Sequence, residues 1–160
     1  MIRTFRPGDE LAICKIYNYY IENTHHTFET QLLDAKDMLL RIEAIVKNYP
    51  FLVVEKEGDV VAYAYATRWK SRQAYDRTVE STIYLKHGQQ GSGMGTLLYT
   101  ELLKQLKELK IHCSLGGIAL PNDASISLHE KLGFKKSGVL KEVGFKFGKW
   151  VDVGYWALHF

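Results

Sequence analysis

Two hydrophobic periods alternate along this chain of 160 residues. Behind the turn Pro7-Gly8-Asp9, apolar positions at Leu11, Ile13, Ile16, Tyr17, Tyr20 and Ile21 predict an amphipathic helix, with Asp9 placed to cap it. A second helix is expected from about Asp34 through Met38, Leu39, Ile42, Ile45 and Val46, stopped at Tyr49-Pro50 because a residue before proline is pushed out of helical geometry. Residues 2–6, ahead of both, read as a short strand. From Phe51 the period falls to two. Residues 51–55 and 60–67 predict a hairpin about Gly58-Asp59, and residues 78–85 a further strand. The helical period returns at Leu97, Leu98, Leu102, Leu103, Leu106 and Leu109. A strand over 113–120 and a short helix over 124–132 follow, the helix ended by Gly133. Two strands over about 135–147 and 150–158, turning at Gly148-Lys149, close the chain. Strand, two helices, three strands, helix, strand, helix, two strands is a mixed α/β (α+β) order, not a strictly alternating doubly wound one.

The segment Gln90-Gly91-Ser92-Gly93-Met94-Gly95-Thr96 lies between a predicted strand and the long helix. Glycines let backbone approach a ligand closely and turn successive N–H groups to one side. The helix start adds unpaired N–H groups and the positive end of the helix dipole, so together they suit a pyrophosphate. A P-loop needs a lysine before its Ser/Thr, and here Gly95 is followed directly by Thr96. A dinucleotide fingerprint opens a first βαβ unit as G-x-G-x-x-G, whereas these glycines come past mid-chain as G-x-G-x-G. The pattern Q/R-x-x-G-x-G/A fits Gln90, Gly93 and Gly95 directly. It resembles the coenzyme A pyrophosphate loop of the GCN5-related N-acetyltransferases (GNAT).

Size and charge narrow the field. At 160 residues the chain has the length of one domain, expected over 1–160. A net charge of +3, from 21 basic and 18 acidic residues, gives no support to a nucleic-acid partner. No apolar run approaches the ~20 residues of a membrane span, and no apolar stretch of the signal-peptide kind follows the first residues. Cys14 and Cys113, far apart inside apolar segments, read as reduced core thiols of a cytoplasmic protein. No metal-ligand spacing is present, and the pair His25-His26, lacking a third ligand, reads as solvated loop.

The resemblance runs nearly the whole length, through Ile16-Tyr17-Asn18, Thr27-Phe28-Glu29, 62–66 (AYAYA), Arg72-Gln73-Ala74-Tyr75, Thr78-Val79-Glu80, Pro121-Asn122, Leu128-His129-Glu130, Gly133-Phe134 and 143–150 (VGFKFGKW). These segments are similar to the phosphinothricin N-acetyltransferase branch of the GNAT superfamily. That resemblance implies a twisted, mostly antiparallel sheet with splayed central strands. It also implies direct acetyl transfer from acetyl-CoA to the α-amine of a small amino-acid-like acceptor, such as phosphinothricin or methionine sulfoximine. Carried over by position, Ile83, Tyr84 and Leu85 would pair with the pantetheine arm, one N–H near Ile83 facing the thioester oxygen. Gln90, Gly91, Ser92, Gly93, Met94, Gly95 and Thr96 would hold the pyrophosphate, and Asn122 the pantetheine amide.

Glu80 matches the proposed general base, which the chemistry requires because an α-ammonium must lose a proton before it attacks. A structural ion pair is its other reading. His129 stands where much of the superfamily has a tyrosine that protonates the departing thiolate. An imidazole can donate a proton near neutral pH, or act as the base, or serve as a polar wall. Arg72 is the expected clamp for an acceptor carboxylate or phosphinate, a free surface arginine being the plainer reading. Lys70 is a second cation, and Tyr75 and Phe28 would shape the pocket. The apolar end Tyr155, Trp156, Leu158 and Phe160 supplies either a homodimer interface or core. Two rivals stand beside this reading. One is an Nα-acetyltransferase of protein or peptide termini; the other is a non-catalytic acyl-CoA sensor.

Overall fold

A computed structural model describes residues 1–160. Seven strands form one sheet in the order β1-β2-β3-β4-β5-β7-β6: β1 (Ile2–Thr4), β2 (Phe51–Lys56), β3 (Asp59–Arg68), β4 (Thr78–Leu85), β5 (Cys113–Ala119), β6 (Lys135–Lys146) and β7 (Lys149–His159). Every neighbouring pair is antiparallel except β4 and β5. Helices α1 (Glu10–Asn23) and α2 (Ala35–Val46) cover one face. Helices α3 (Met94–Glu108) and α4 (Asp123–Lys131) cover the other. The expected order of elements holds, with one 3₁₀ turn added at Gln73–Tyr75.

Alternation along the strands sorts the core into two layers. Ala62, Ala64, Ala66 and Val79 pack under Leu98, Tyr99, Leu102 and Leu106 of α3. Tyr63, Tyr65 and Tyr84 face Ile13, Ile16, Tyr17, Met38 and Ile42 of α1 and α2. The small alanines let α3 lie close to the sheet, while the tyrosines fill the wider space on the opposite face. The apolar C-terminal end resolves as core: Trp156 is buried, and Leu158 and Phe160 pack against the α3 layer.

Three local expectations are corrected. Asp9 makes no side-chain cap. Its carboxylate takes two Arg3 nitrogens at 2.7 and 2.8 Å and the Arg6 N–H at 2.7 Å, because a bidentate charged pair outcompetes a neutral cap bond. The cap does form at α2, where Asp34 accepts from the Asp37 N–H at 2.8 Å. Both hairpin turns sit one residue earlier than expected, at Glu57-Gly58 and Phe147-Gly148, whose φ angles are 54° and 86°, and 52° and 70°. A two-residue turn matching strand twist needs positive φ at both central positions. Sequence marks the glycine but not which neighbour shares its left-handed geometry.

The feature that positions the site is the parallel pair. β4 and β5 pair only at Thr78–Cys113, Val79–Ser114 and Glu80–Leu115; beyond these positions the strands part.

Candidate active site

The parting leaves a cleft of about 560 Å³ that runs through the sheet, lined from β4, the glycine loop, β5 and α4. Part of its wall is backbone that no neighbouring strand pairs. Lys86 N donates to Val61 O at 2.8 Å and Trp69 N to Thr78 O at 3.4 Å. In an antiparallel ladder alternate residues bond to the same neighbour, so the even-numbered residues of β4 serve β3. The N–H and C=O groups of Ile83 and Leu85 therefore face the gap. By the same alternation, Leu120 N bonded to Asp152 O at 2.9 Å leaves Gly117 and Ala119 of β5 facing it from the other side. Such an edge accepts an extended amide chain as an added strand. Tyr20 ties the mouth of β4 to α1 by donating to Leu85 O at 2.6 Å.

At one end of the cleft the loop 86–93 enters α3. Gly88, Gly91 and Gly93 have φ of 83°, 82° and 78°, and Gly93 caps the helix in left-handed geometry. Nothing lies within 4 Å of a side chain added at Gly93, so the space beside this N-terminus is free for a ligand. Gln90, Gly91, Gly93, Gly95 and Thr96 line the cleft. Ser92 is exposed, and the Met94 side chain packs into the α3 core, leaving only its backbone to the loop. Asn122 lines the cleft while its Oδ1 accepts from Ser125 N at 3.2 Å, capping α4.

Glu80 and His129 lie on opposite faces of the sheet. Glu80, an even position of β4, is on the α1/α2 face; a side chain added at Gly117 would meet its Oε1 at 2.8 Å. Burial raises its pKa above the ordinary carboxylate value. No salt bridge holds it, which removes the ion-pair reading.

His129 is 4% exposed on the α3/α4 face, held by a Schellman end to α4 in which Phe134 N bonds to His129 O and Gly133 N to Glu130 O, both at 3.0 Å. Its Nδ1 lies 2.7 Å from the Ser125 carbonyl oxygen. A carbonyl only accepts, so Nδ1 carries the proton and Nε2 accepts from the Tyr99 hydroxyl at 3.1 Å. Ser81 Oγ lies 2.6 Å from Tyr99 Oη and 2.7 Å from Ser114 Oγ. The chain Ser114, Ser81, Tyr99, His129 thus donates in one direction. Burial holds the His129 pKa below the usual imidazole value, outweighing the Ser125 carbonyl bond.

Glu80 borders the cleft at Gly117 without lining it, and the remaining predicted residues lie outside. Lys70, Arg72 and Tyr75 belong to loop 69–77, braced by an Arg68–Asp76 ion pair and by Trp69 edge-on to Tyr75 at 5.2 Å. Lys70 sits over the Trp69 ring at 4.4 Å, and Arg72 is exposed. Phe28 packs where Gly144 has no side chain, a Cβ there meeting its ring at 2.2 Å. His25-His26 sits half-exposed in a loop, as expected, yet both rings have neighbours there. His26 lines the cleft, and His25 Nε2 donates to Pro121 O at 3.1 Å, joining the α1–α2 loop to the β5–α4 corner. Ser81, Tyr99 and Ser114 do not figure among the residues expected from sequence. Their signal was available, since serine at inward strand positions among Val79 and Ile83 demands buried partners. Tyr20, His26 and Lys131, which also line the cleft, carry no comparable mark.

The acetyltransferase (GNAT) domain family matches residues 2–154. The chain belongs to the GNAT acetyltransferases. Among its relatives, the phosphinothricin N-acetyltransferase of Streptomyces viridochromogenes is 43% identical over 159 residues, 99% of this chain and 87% of that one. The structure of a ribosomal-protein-alanine N-acetyltransferase from Brucella melitensis matches with TM-score 0.98 at 34% identity, covering 100% of this chain and 99% of that one. A phosphinothricin acetyltransferase from Sinorhizobium meliloti in complex with acetyl-CoA matches with TM-score 0.95 at 33% identity, covering 99% and 87%.

This GNAT chain is an N-acetyltransferase, and its residues fit acetyl-CoA. Free N–H groups at the α3 start suit the pyrophosphate, the Lys131 ammonium lies in the same cleft, and the β4 edge suits pantetheine amides. No group of His, Cys, Asp or Glu gathers as a metal site, and no helix is long and apolar enough to cross a membrane.

Proposed function

We propose that the enzyme acetylates the α-amine of a small amino-acid-like acceptor, with phosphinothricin, methionine sulfoximine or a related amino acid as the substrate class. One catalytic domain over 1–160 does so. The observation that carries this reading is the half-buried, unpaired Glu80 carboxylate on the α1/α2 face beside the gap, in a chain similar to phosphinothricin N-acetyltransferases over 99% of its length.

Acetyl-CoA supplies an activated thioester. Gln90 to Thr96 hold its phosphates, Ile83 and the Leu85 N–H hold its arm while the Tyr84 backbone, paired with Tyr63 of β3, is not free to do so, and Asn122 offers its free Nδ2 to an amide. Glu80 takes the proton from the acceptor ammonium on the α1/α2 face; its raised pKa improves the match to an amine. The Ile83 N–H, aimed into the gap, stabilises the developing oxyanion. His129 forms the opposite wall. Both its nitrogens are engaged in the resting chain, so it shapes the cleft and holds Tyr99 rather than acting as base. A thiolate with pKa near ~8.5 needs little help to leave. Arg72, Lys70 and Tyr75 meet the distal end of the acceptor, and Phe28 borders it.

The match to a ribosomal-protein-alanine N-acetyltransferase favours a second reading, acetylation of a protein terminus. The His25–Pro121 bond ties the α1–α2 loop to the β5–α4 corner and opposes an open groove for a chain. A sensor without catalysis has no use for Glu80. The buried free thiols Cys14 and Cys113 support a reducing, cytoplasmic location. The homodimer expectation moves from the buried C-terminus to the β6–β7 hairpin, where Leu140, Val143, Phe145, Phe147 and Trp150 are exposed.

The test is free-thiol release from acetyl-CoA with methionine sulfoximine, phosphinothricin, the standard amino acids and several peptides. Turnover on amino acids or analogues is expected. Turnover on peptides alone establishes the second reading, and acetyl-CoA binding without turnover on any amine overturns both.

A further inference from the structure

On the acceptor side of the cleft stands a cation without an anion. Lys146 is 3% exposed, under a thin cover at the seam between the β6–β7 hairpin and the α1–α2 loop. Its Nζ donates to Thr27 O at 2.8 Å and lies 5.0 Å from the Phe147 ring centroid. No carboxylate reaches it: the ion pairs of the molecule are made by Arg3, Arg41, Arg68 and Lys141. Glu29, the acid nearest in sequence to Thr27, is held by both Arg41 nitrogens at 2.6 and 2.8 Å and by the Tyr17 hydroxyl. Covering a charge without its counter-charge is costly, and burial draws this lysine's pKa down.

One residue from Thr27, His26 lines the cleft with neither ring nitrogen bonded to protein; only its backbone N–H is used, toward Thr24 Oγ1 at 3.1 Å. The titratable groups facing it are Lys146, His25 and the Tyr20 ring, none a carboxylate; after burial itself, His25 and Lys146 hold the His26 pKa down. The corner is pinned by His25 to Pro121. Thr27, which links the two residues, bonds to Tyr17 at 2.8 Å, on the same face of the sheet as Glu80. An electropositive, pre-set corner beside the gap calls for an anionic ligand.

We propose that His26 and Lys146 form the subsite for the α-carboxylate of the acceptor, with His26 donating an N–H to it and Lys146 supplying the balancing charge from behind. This rests on the amino-acid reading above. The α-carboxylate is bonded to the carbon that bears the reacting nitrogen, so its subsite must adjoin the point of attack. His26 lines the cleft on the α1/α2 face, the face that also carries Glu80, whereas exposed Arg72 serves the far end of the side chain.

The experiment compares an amino acid with its carboxamide as acceptor in wild type, Lys146→Met, Lys146→Arg and His26→Val. Wild type prefers the free acid. Lys146→Met and His26→Val raise KM for the acid roughly 10- to 100-fold, the loss of a charge-assisted bond. They leave KM for the carboxamide and for acetyl-CoA within about twofold, and Lys146→Arg recovers part of the loss. Equal use of acid and carboxamide by wild type, or folded variants whose acid-to-carboxamide ratio stays unchanged, overturns the proposal. If Lys146→Met does not fold, His26→Val decides alone, since it alters only a cleft-lining side chain. A wild-type enzyme that acetylates no amino acid at all refutes the substrate reading instead.

Discussion

A methyl group at Gly116 tests the seating of His129. A Cβ there would stand 2.4 Å from Nε2 and 2.6 Å from Cδ2, whereas ordinary contact begins near 3.4 Å. The ring would have to retreat by about 1 Å, and it has little room. Ser125 O grips Nδ1 at 2.7 Å, and the rings of Tyr99 and Phe134 stand edge-on at 5.2 and 4.9 Å. A retreat of that size also breaks the 3.1 Å bond from Tyr99. Overpacking costs roughly 1–3 kcal/mol, and a buried bond left unmade about 1–3 kcal/mol more. Gly116→Ala is therefore expected to lose about 2–6 kcal/mol, which at ~2–4 °C per kcal/mol lowers Tm by roughly 4–24 °C. Thermal unfolding followed by circular dichroism reads this directly. Combining it with His129→Ala removes the clash, so the double variant should be more stable than the sum of the singles by at least about 1 kcal/mol. A Tm within ~2 °C of wild type would refute the packing argument.

Other outcomes follow from the same geometry. Glu80→Gln should lower kcat roughly 10²- to 10⁴-fold with acetyl-CoA affinity intact; an unchanged rate removes Glu80 from the mechanism. Because burial raises the Glu80 pKa, turnover should climb with pH through a value above the ordinary ~4.3 of glutamate as the carboxylate loses its proton. The Gln variant should lack that limb. Gly93→Val forces a β-branched residue to φ of 78°, at about 1–2 kcal/mol, and sets a side chain where the pyrophosphate approaches. It should raise KM for acetyl-CoA at least about tenfold, and an unaltered KM would place the phosphates elsewhere. Asp9 is held below the usual carboxylate range chiefly by its bonds to Arg3, so its contribution is present above the unfolded pKa of about 3.9 and is lost as pH falls through the folded value. Asp9→Asn should then destabilise the protein at pH 7 and progressively less below pH 4 in urea unfolding. Equal losses at both pH values would contradict that linkage.

Much of this protein was legible in one dimension. Helical and strand periods report which residues must be covered, and burial depends on side-chain spacing, so the order of elements followed from Leu98, Leu102 and Leu106 or Phe51 to Glu55 without a structure. The glycine loop was legible for a similar reason, since left-handed backbone at Gly91 and Gly93 excludes most other residues. Local sequence could not choose between a cap and an ion pair for Asp9, because Arg3 reaches it only once β1 is laid against the sheet. Nor could it rank the polar residues. That Glu80 and His129 occupy opposite faces comes from strand register and from where β4 and β5 part, which are properties of pairing between distant segments. Tyr99, Ser81 and Ser114 form one chain with His129 only because α3, β4, β5 and α4 meet there. His26 and Lys146, 120 positions apart, carry no common mark in sequence. Packing placed them at one corner and left a charge there without a partner.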